Sequence, residues 1–151
     1  MIHQLAAVDR RAKIGKDVII EPFTTIAADV KIGDGTWIGP NVTIMDGARI
    51  GKNCRIFPGT VVSAIPQDLK FDGEDTQTII GDRTTIRECV TINRGTKALG
   101  YTKVGDDCLI MATSHIAHDC ILGNGVIIVN GCGIAGHVEI GDFTVMGGLS
   151  A

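Results

Sequence analysis

Val30-Lys31-Ile32-Gly33-Asp34-Gly35-Thr36-Trp37-Ile38-Gly39-Pro40-Asn41-Val42-Thr43-Ile44 says the same thing three times in fifteen residues. A small or β-branched residue (Val30, Thr36, Val42) is followed two positions later by isoleucine (Ile32, Ile38, Ile44), and then by turn-forming residues. Extended in both directions in steps of six from Val8 to Met146, the isoleucine position holds a large aliphatic residue at 21 of 24 places. It lapses only at Asp68, Glu74 and Ala98, and resumes each time in the same phase. Residues i−2 and i share one face of an extended strand. Each six-residue unit therefore presents one small and one large side chain inward and then turns a corner. Glycine often follows the aliphatic, as at 15, 33, 51, 81, 105 and 123, where turn geometry without a Cβ penalty is expected. No 3.6-residue period is present, which excludes helices. A β-sandwich would show turns every 8–12 residues instead of every six. Hexapeptide repetition is the signature of a parallel β-helix, here a three-sided prism of 18-residue coils. About seven coils at a spacing of roughly 4.8 Å give a prism about 34 Å long.

The chain of 151 residues is read as a single all-β domain, 1–151. Aromatic residues are 4% of the sequence, so stacked aliphatics must fill the core. No apolar run approaches the roughly 20 residues needed to span a bilayer. Met1 to Arg10 holds no basic segment followed by an apolar core, so a cytoplasmic location is expected. A formal net charge of −3 argues against a nucleic-acid binder. Cys54, Cys108, Cys120 and Cys132 all fall at the small inward position, which reads as core filling; only Cys89 lies outside it.

Function is expected where so regular a scaffold lapses. The two breaks fall at Ser63–Thr76 and Arg94–Thr102, with residues 63–79 and 97–102 expected outside the prism. If the coils continue unshifted, Ile32, Ile50, Ile86 and Val104 share one side. His118 and His137 are nineteen residues apart, one coil plus one, so their imidazoles should meet on adjacent coils at one edge. With His115 they could also hold a zinc ion with an open water position. Hexapeptide carbonic anhydrases offer that precedent, although their paired histidines are spaced more widely than His115 and His118.

Further motifs are more specific. Gln67-Asp68-Leu69-Lys70-Phe71, Val90-Thr91-Ile92-Asn93-Arg94-Gly95-Thr96, His115-Ile116-Ala117-His118-Asp119-Cys120, Ala135-Gly136-His137-Val138 and Gly147-Gly148-Leu149-Ser150-Ala151 occur in this order. Together they resemble the UDP-N-acetylglucosamine O-acyltransferases of lipid A synthesis, along the whole chain. The resemblance implies a left-handed coil and transfer of an (R)-3-hydroxyacyl group from acyl carrier protein, on its phosphopantetheine arm, to the sugar 3-hydroxyl of UDP-N-acetylglucosamine. It casts His118 as general base, for which an imidazole with an ordinary pKa of about 6.5 is suited. Asp119 would orient that base, and the Gly136 backbone N–H would hold the thioester oxyanion. Gln67, Asp68, Lys70, His115 and His137 align with substrate-binding positions. A homotrimer with sites between adjacent prisms is implied, and neither a metal nor another cofactor. The family continues past the position of Ala151 into further coils and a helical part. The expectation is therefore weak catalysis and end-to-end association for the 151-residue chain alone, and a non-catalytic scaffold stands as the second reading.

Overall fold

A computed structural model describes residues 1–151, and it is a left-handed parallel β-helix. Twenty-one short strands form three parallel sheets of seven strands each. Successive strands visit the three faces in turn, so every strand but the first and last of each sheet pairs with the strands one coil below and one coil above. Face one carries the inward aliphatics Val8, Ile26, Ile44, Val62, Ile92, Ile116 and Ile134. Face two carries Ile14, Ile32, Ile50, Ile80, Val104, Leu122 and Ile140. Face three carries Ile20, Ile38, Ile56, Ile86, Ile110, Ile128 and Met146. These stacks and the small inward residues form one core cluster of 28 buried residues that contains no aromatic side chain. Each fully buried isoleucine contributes about 1.5–3 kcal/mol relative to an exposed one.

The small inward column does more than fill space. Thr24 Oγ1 donates to the Gly39 carbonyl at 2.7 Å, Thr84 Oγ1 to that of Gly105 at 2.7 Å, and the buried Cys108 Sγ lies 3.1 Å from the Gly123 carbonyl oxygen. Corner carbonyls that would otherwise be orphaned inside the coil are thereby satisfied. Cys54, Cys108, Cys120 and Cys132 are all buried and Cys89 is exposed, as the register requires.

Three expectations need correction. The first excursion occupies residues 65–76, because Gln77–Ile80 is a paired strand, and the second occupies 94–100, because Tyr101–Val104 is another. Val62 and Ile80 are 18 residues apart instead of six, and Ile92 and Val104 are twelve apart. The excursions thus insert twelve and six residues. Both are multiples of six, so the phase survives while the face changes: Ile80, not Ile86, stacks on Ile50, and Ile86 stacks on Ile56. Val104 falls where expected because the two insertions together equal one full coil. Glycine directly after the aliphatic is required for a reason other than turn conformation. At most corners the left-handed residue lies three positions after the aliphatic and is commonly Asp, Asn or Gly, as at Asp17, Asn41, Asn53, Asp107 and Gly35. At Gly33 the next coil passes so close that a Cβ would lie 2.7 Å from the Gly51 carbonyl carbon.

Candidate active site

Both excursions leave from the edge where face one turns into face two, and the histidine corners belong to the same edge. The corner after Ile116 holds His118 and Asp119; the corner one coil later, after Ile134, holds Gly136 and His137. Asp119 and His137 take the left-handed position, with φ of 59° and 64°. His118 and His137 therefore come from different corner positions on adjacent coils, which is the physical content of their nineteen-residue spacing. Their rings meet edge to face at 5.0 Å between centroids.

Asp119 is 3% exposed and its carboxylate is surrounded by donors. Oδ1 accepts the Thr96 N–H at 2.9 Å and the Leu99 N–H at 3.3 Å; Oδ2 accepts the Thr96 hydroxyl at 2.6 Å. His118 Nδ1 lies 2.8 Å from the same Oδ2. Burial pushes the Asp119 carboxyl up, but the bonds from Thr96, from His118 and from Leu99 outweigh it and hold the group below the usual carboxylate range. Asp119 therefore remains an anion, able only to accept, beside the His118 ring.

The other nitrogen of that ring faces outward. His118 Nε2 is 4.0 Å from Asp68 Oδ2 on the first excursion. Gly136 lies directly against the ring, such that a Cβ there would sit 2.6 Å from Cε1 and 2.8 Å from Nε2. The Gly136 N–H donates to no acceptor in the chain. A depression of about 360 Å³ in front of these groups is lined by Gln67, Asn93, His115, His118 and Gly136 among others. His115 Nδ1 is 2.7 Å from Thr91 Oγ1, and burial followed by the neighbouring charge of His118 lowers the His115 pKa. A second depression, of about 140 Å³, is lined by Asp68, Lys70, Glu74, Thr96, Lys97 and His137. The first depression thus offers mainly neutral hydrogen-bonding groups and the second offers cations and carboxylates.

Every site residue expected from the sequence lies on this edge. Gln67, His115, His118 and Gly136 share one depression and Asp68, Lys70 and His137 the other, with Asp68 Oδ2 4.0 Å from His118 Nε2. Two further residues escaped the sequence reading. Asn93 is 3% exposed, lines the first depression, and its Oδ1 has no partner in the chain. Its signal was weak: a carboxamide in the slot after the aliphatic, where four of the six other coils of this face carry Ala27, Met45, Ala117 and Ala135 but the other two carry Asp9 and Ser63. Thr96, which caps Asp119, had no signal beyond its place in the Val90–Thr96 motif, since the sequence does not show that the second excursion folds back. His118, Asp119 and His137 place potential ligand atoms within 4.8 Å of one another. As arranged, however, Asp119 Oδ2 is committed to the His118 ring and the Thr96 hydroxyl, so the donor set fits a hydrogen-bonded pair better than a metal.

The model of the bacterial transferase hexapeptide family (six repeats) matches residues 11–36, 29–64 and 101–136, with both excursions falling in the gap. The acyl-[acyl-carrier-protein]–UDP-N-acetylglucosamine O-acyltransferase of Campylobacter concisus is 46% identical over 151 residues, covering 99% of this chain and 58% of that protein. Among solved structures, a UDP-N-acetylglucosamine acyltransferase from Bacteroides fragilis superposes with a TM-score of 0.95 at 50% identity, over 96% of this chain and 57% of its own. That of Francisella novicida gives a TM-score of 0.96 at 44% identity, over 99% of this chain and 55% of its own. The chain spans less than three fifths of the length of each of these relatives.

Proposed function

The chain belongs to the hexapeptide-repeat family of UDP-N-acetylglucosamine O-acyltransferases, and we propose that it carries the base-catalysed half of that chemistry: transfer of an (R)-3-hydroxyacyl group from acyl carrier protein to the sugar 3-hydroxyl of UDP-N-acetylglucosamine. The observation that carries this reading is the His118 ring, bonded at Nδ1 to a buried carboxylate and presenting Nε2 to a polar depression beside an undonated Gly136 N–H.

A sugar hydroxyl is a weak nucleophile until its proton is taken. His118 Nε2 removes that proton as the oxygen attacks the thioester carbonyl, and Asp119 stabilises the imidazolium that forms. The carbonyl oxygen becomes an oxyanion, for which the Gly136 N–H is a donor already in place. Collapse of the intermediate breaks the carbon–sulfur bond, and the imidazolium returns its proton to the departing phosphopantetheine thiolate. Gln67, Asn93 and His115 supply hydrogen bonds suited to a neutral sugar, while Lys70 supplies a cation suited to phosphate. No step calls for a metal or a redox cofactor. The working form is proposed to be a cytoplasmic homotrimer in which an adjacent prism closes the open edge. No helix is long and apolar enough to cross a membrane, which is compatible with that placement.

The test is an acyl-transfer assay with (R)-3-hydroxyacyl-loaded acyl carrier protein and UDP-N-acetylglucosamine, read by mass spectrometry. An O-acylated sugar nucleotide formed equally well with and without chelator supports the proposal. Absence of both product and sugar-nucleotide binding would leave the scaffold reading.

A further inference from the structure

The second excursion, six inserted residues at the corner below His118, is folded around a single carboxylate. Gly95 lets the chain double back, since a Cβ there would run into the Tyr101 backbone, and Gly100, at φ 88°, reverses it again. Between them the Gly100 N–H closes on the Thr96 carbonyl at 2.7 Å. Thr96 and Leu99 N–H groups point at Asp119 Oδ1, and the Thr96 hydroxyl points at Oδ2. From the other side Thr102 Oγ1 accepts the Asp119 N–H at 2.9 Å. Thr96 is 5% exposed, so its own two bonds to Asp119 do not compete with bulk water.

The direction of the Thr96 bond follows from its neighbours. Ala98 N–H donates to Thr96 Oγ1 at 3.2 Å, and the single hydroxyl hydrogen is left for Asp119 Oδ2. That oxygen, accepting only, also faces His118 Nδ1, which must therefore carry its hydrogen there and keep its lone pair on Nε2. We propose that Thr96 is a positioning residue: its hydroxyl fixes the Asp119 carboxylate in the orientation that holds the neutral His118 ring in the Nδ1–H tautomer, with Nε2 free to take a proton from the acceptor. Its catalytic consequence rests on His118 being the base; the tautomer itself does not.

Other charged and titratable groups also face the ring. Asp68 lies 4.0 Å from Nε2, His137 is in ring contact, His115 is coupled to His118 by charge, and Lys70, Glu74 and Lys97 line the depression next to His137. Only Asp119 meets Nδ1 at hydrogen-bond distance.

The experiment is long-range ¹H–¹⁵N NMR of histidine-labelled 151-residue chain at about pH 8, where ordinary imidazoles are neutral. Wild type, Thr96→Val and Thr96→Ser are compared, together with acyl-transfer kinetics on the same samples. Wild-type His118 is expected with its proton on Nδ1, and Thr96→Val with a tautomer mixture. Turnover should fall about 10-fold or more in Thr96→Val, the usual consequence of a misplaced catalytic group, with KM for UDP-N-acetylglucosamine within about 3-fold. Thr96→Ser, which keeps the hydroxyl, should restore both signatures. A His118 that keeps the Nδ1–H tautomer in Thr96→Val overturns the proposal, as does a serine variant that restores nothing. Should Thr96→Val fail to fold, Thr96→Ala removes the hydroxyl without adding bulk and makes the same comparison. A chain that transfers no acyl group would count against the proposed function, while the tautomers would still decide the role of Thr96.

Discussion

Gly136→Ala is the sharpest perturbation the geometry offers. The glycine lies outside the left-handed region, so an alanine there carries no backbone strain, and the added methyl is the whole change. That methyl would stand 2.6 Å from His118 Cε1, whereas carbon atoms in contact settle at about 3.5–4.0 Å. The ring must retreat by about 1 Å, and it cannot do so freely because Nδ1 is held at 2.8 Å by Asp119. A displacement of about 1 Å in a reacting group costs on the order of 10²-fold, equivalent to about 2.7 kcal/mol of barrier. The N–H at position 136 survives, so the loss reports the ring and not the oxyanion donor. Folding should be little affected, since the corner lies outside the aliphatic stack. Acyl-transfer kinetics and thermal melting on the same samples read the two effects separately. An alanine variant with undiminished turnover and an unshifted melting temperature would refute the idea that the pose of His118 against Gly136 is the working one.

Other consequences follow from individual groups. Asn93→Ala removes a buried acceptor that has no partner in the chain, so melting should not suffer while UDP-N-acetylglucosamine binding, followed by calorimetry, weakens about 10-fold, the worth of one hydrogen bond. His115 has a lowered pKa in the folded state, so between the ordinary histidine value of about 6.5 and that lower value the unfolded chain binds more protons. Stability should therefore fall as pH drops through that window, and His115→Gln should flatten melting curves collected between pH 7 and 5. Burial raises the thiol pKa of Cys54, Cys108 and Cys120. A thiol reagent should accordingly modify Cys89 first and these three only slowly; rapid labelling of all would contradict the inward register.

The hexad register was legible because every inward position obeys one rule, and the buried column from Ile20 to Ile140 follows it without exception. Which face a given isoleucine joins was not legible between residues 62 and 104. An insertion of twelve or six residues leaves a six-residue phase untouched, so Ile86 was assigned to the side that Ile80 occupies. The meeting of His118 and His137 could be read from spacing, because both sit on corners of consecutive coils. The approach of Asp68 to His118 could be expected only by resemblance, since the residues after Ala64 follow no repeat. Asn93 and Thr96 stand inside the Val90–Thr96 motif, but neither spacing nor resemblance gave them a role. Asn93 pairs with Ala64 and shares its depression with Gln67 of the first excursion, and Thr96 meets Asp119 where two glycines fold its loop inward, so their roles arise from tertiary closure and leave no period in the sequence.

The central claim is that His118 takes the proton from the acceptor hydroxyl. Turnover of His118→Ala against wild type, in the acyl-transfer assay with UDP-N-acetylglucosamine binding measured in parallel, tests it most directly. A loss of about 10²–10⁴-fold in turnover with binding nearly unchanged is the predicted result; turnover equal to wild type would contradict it.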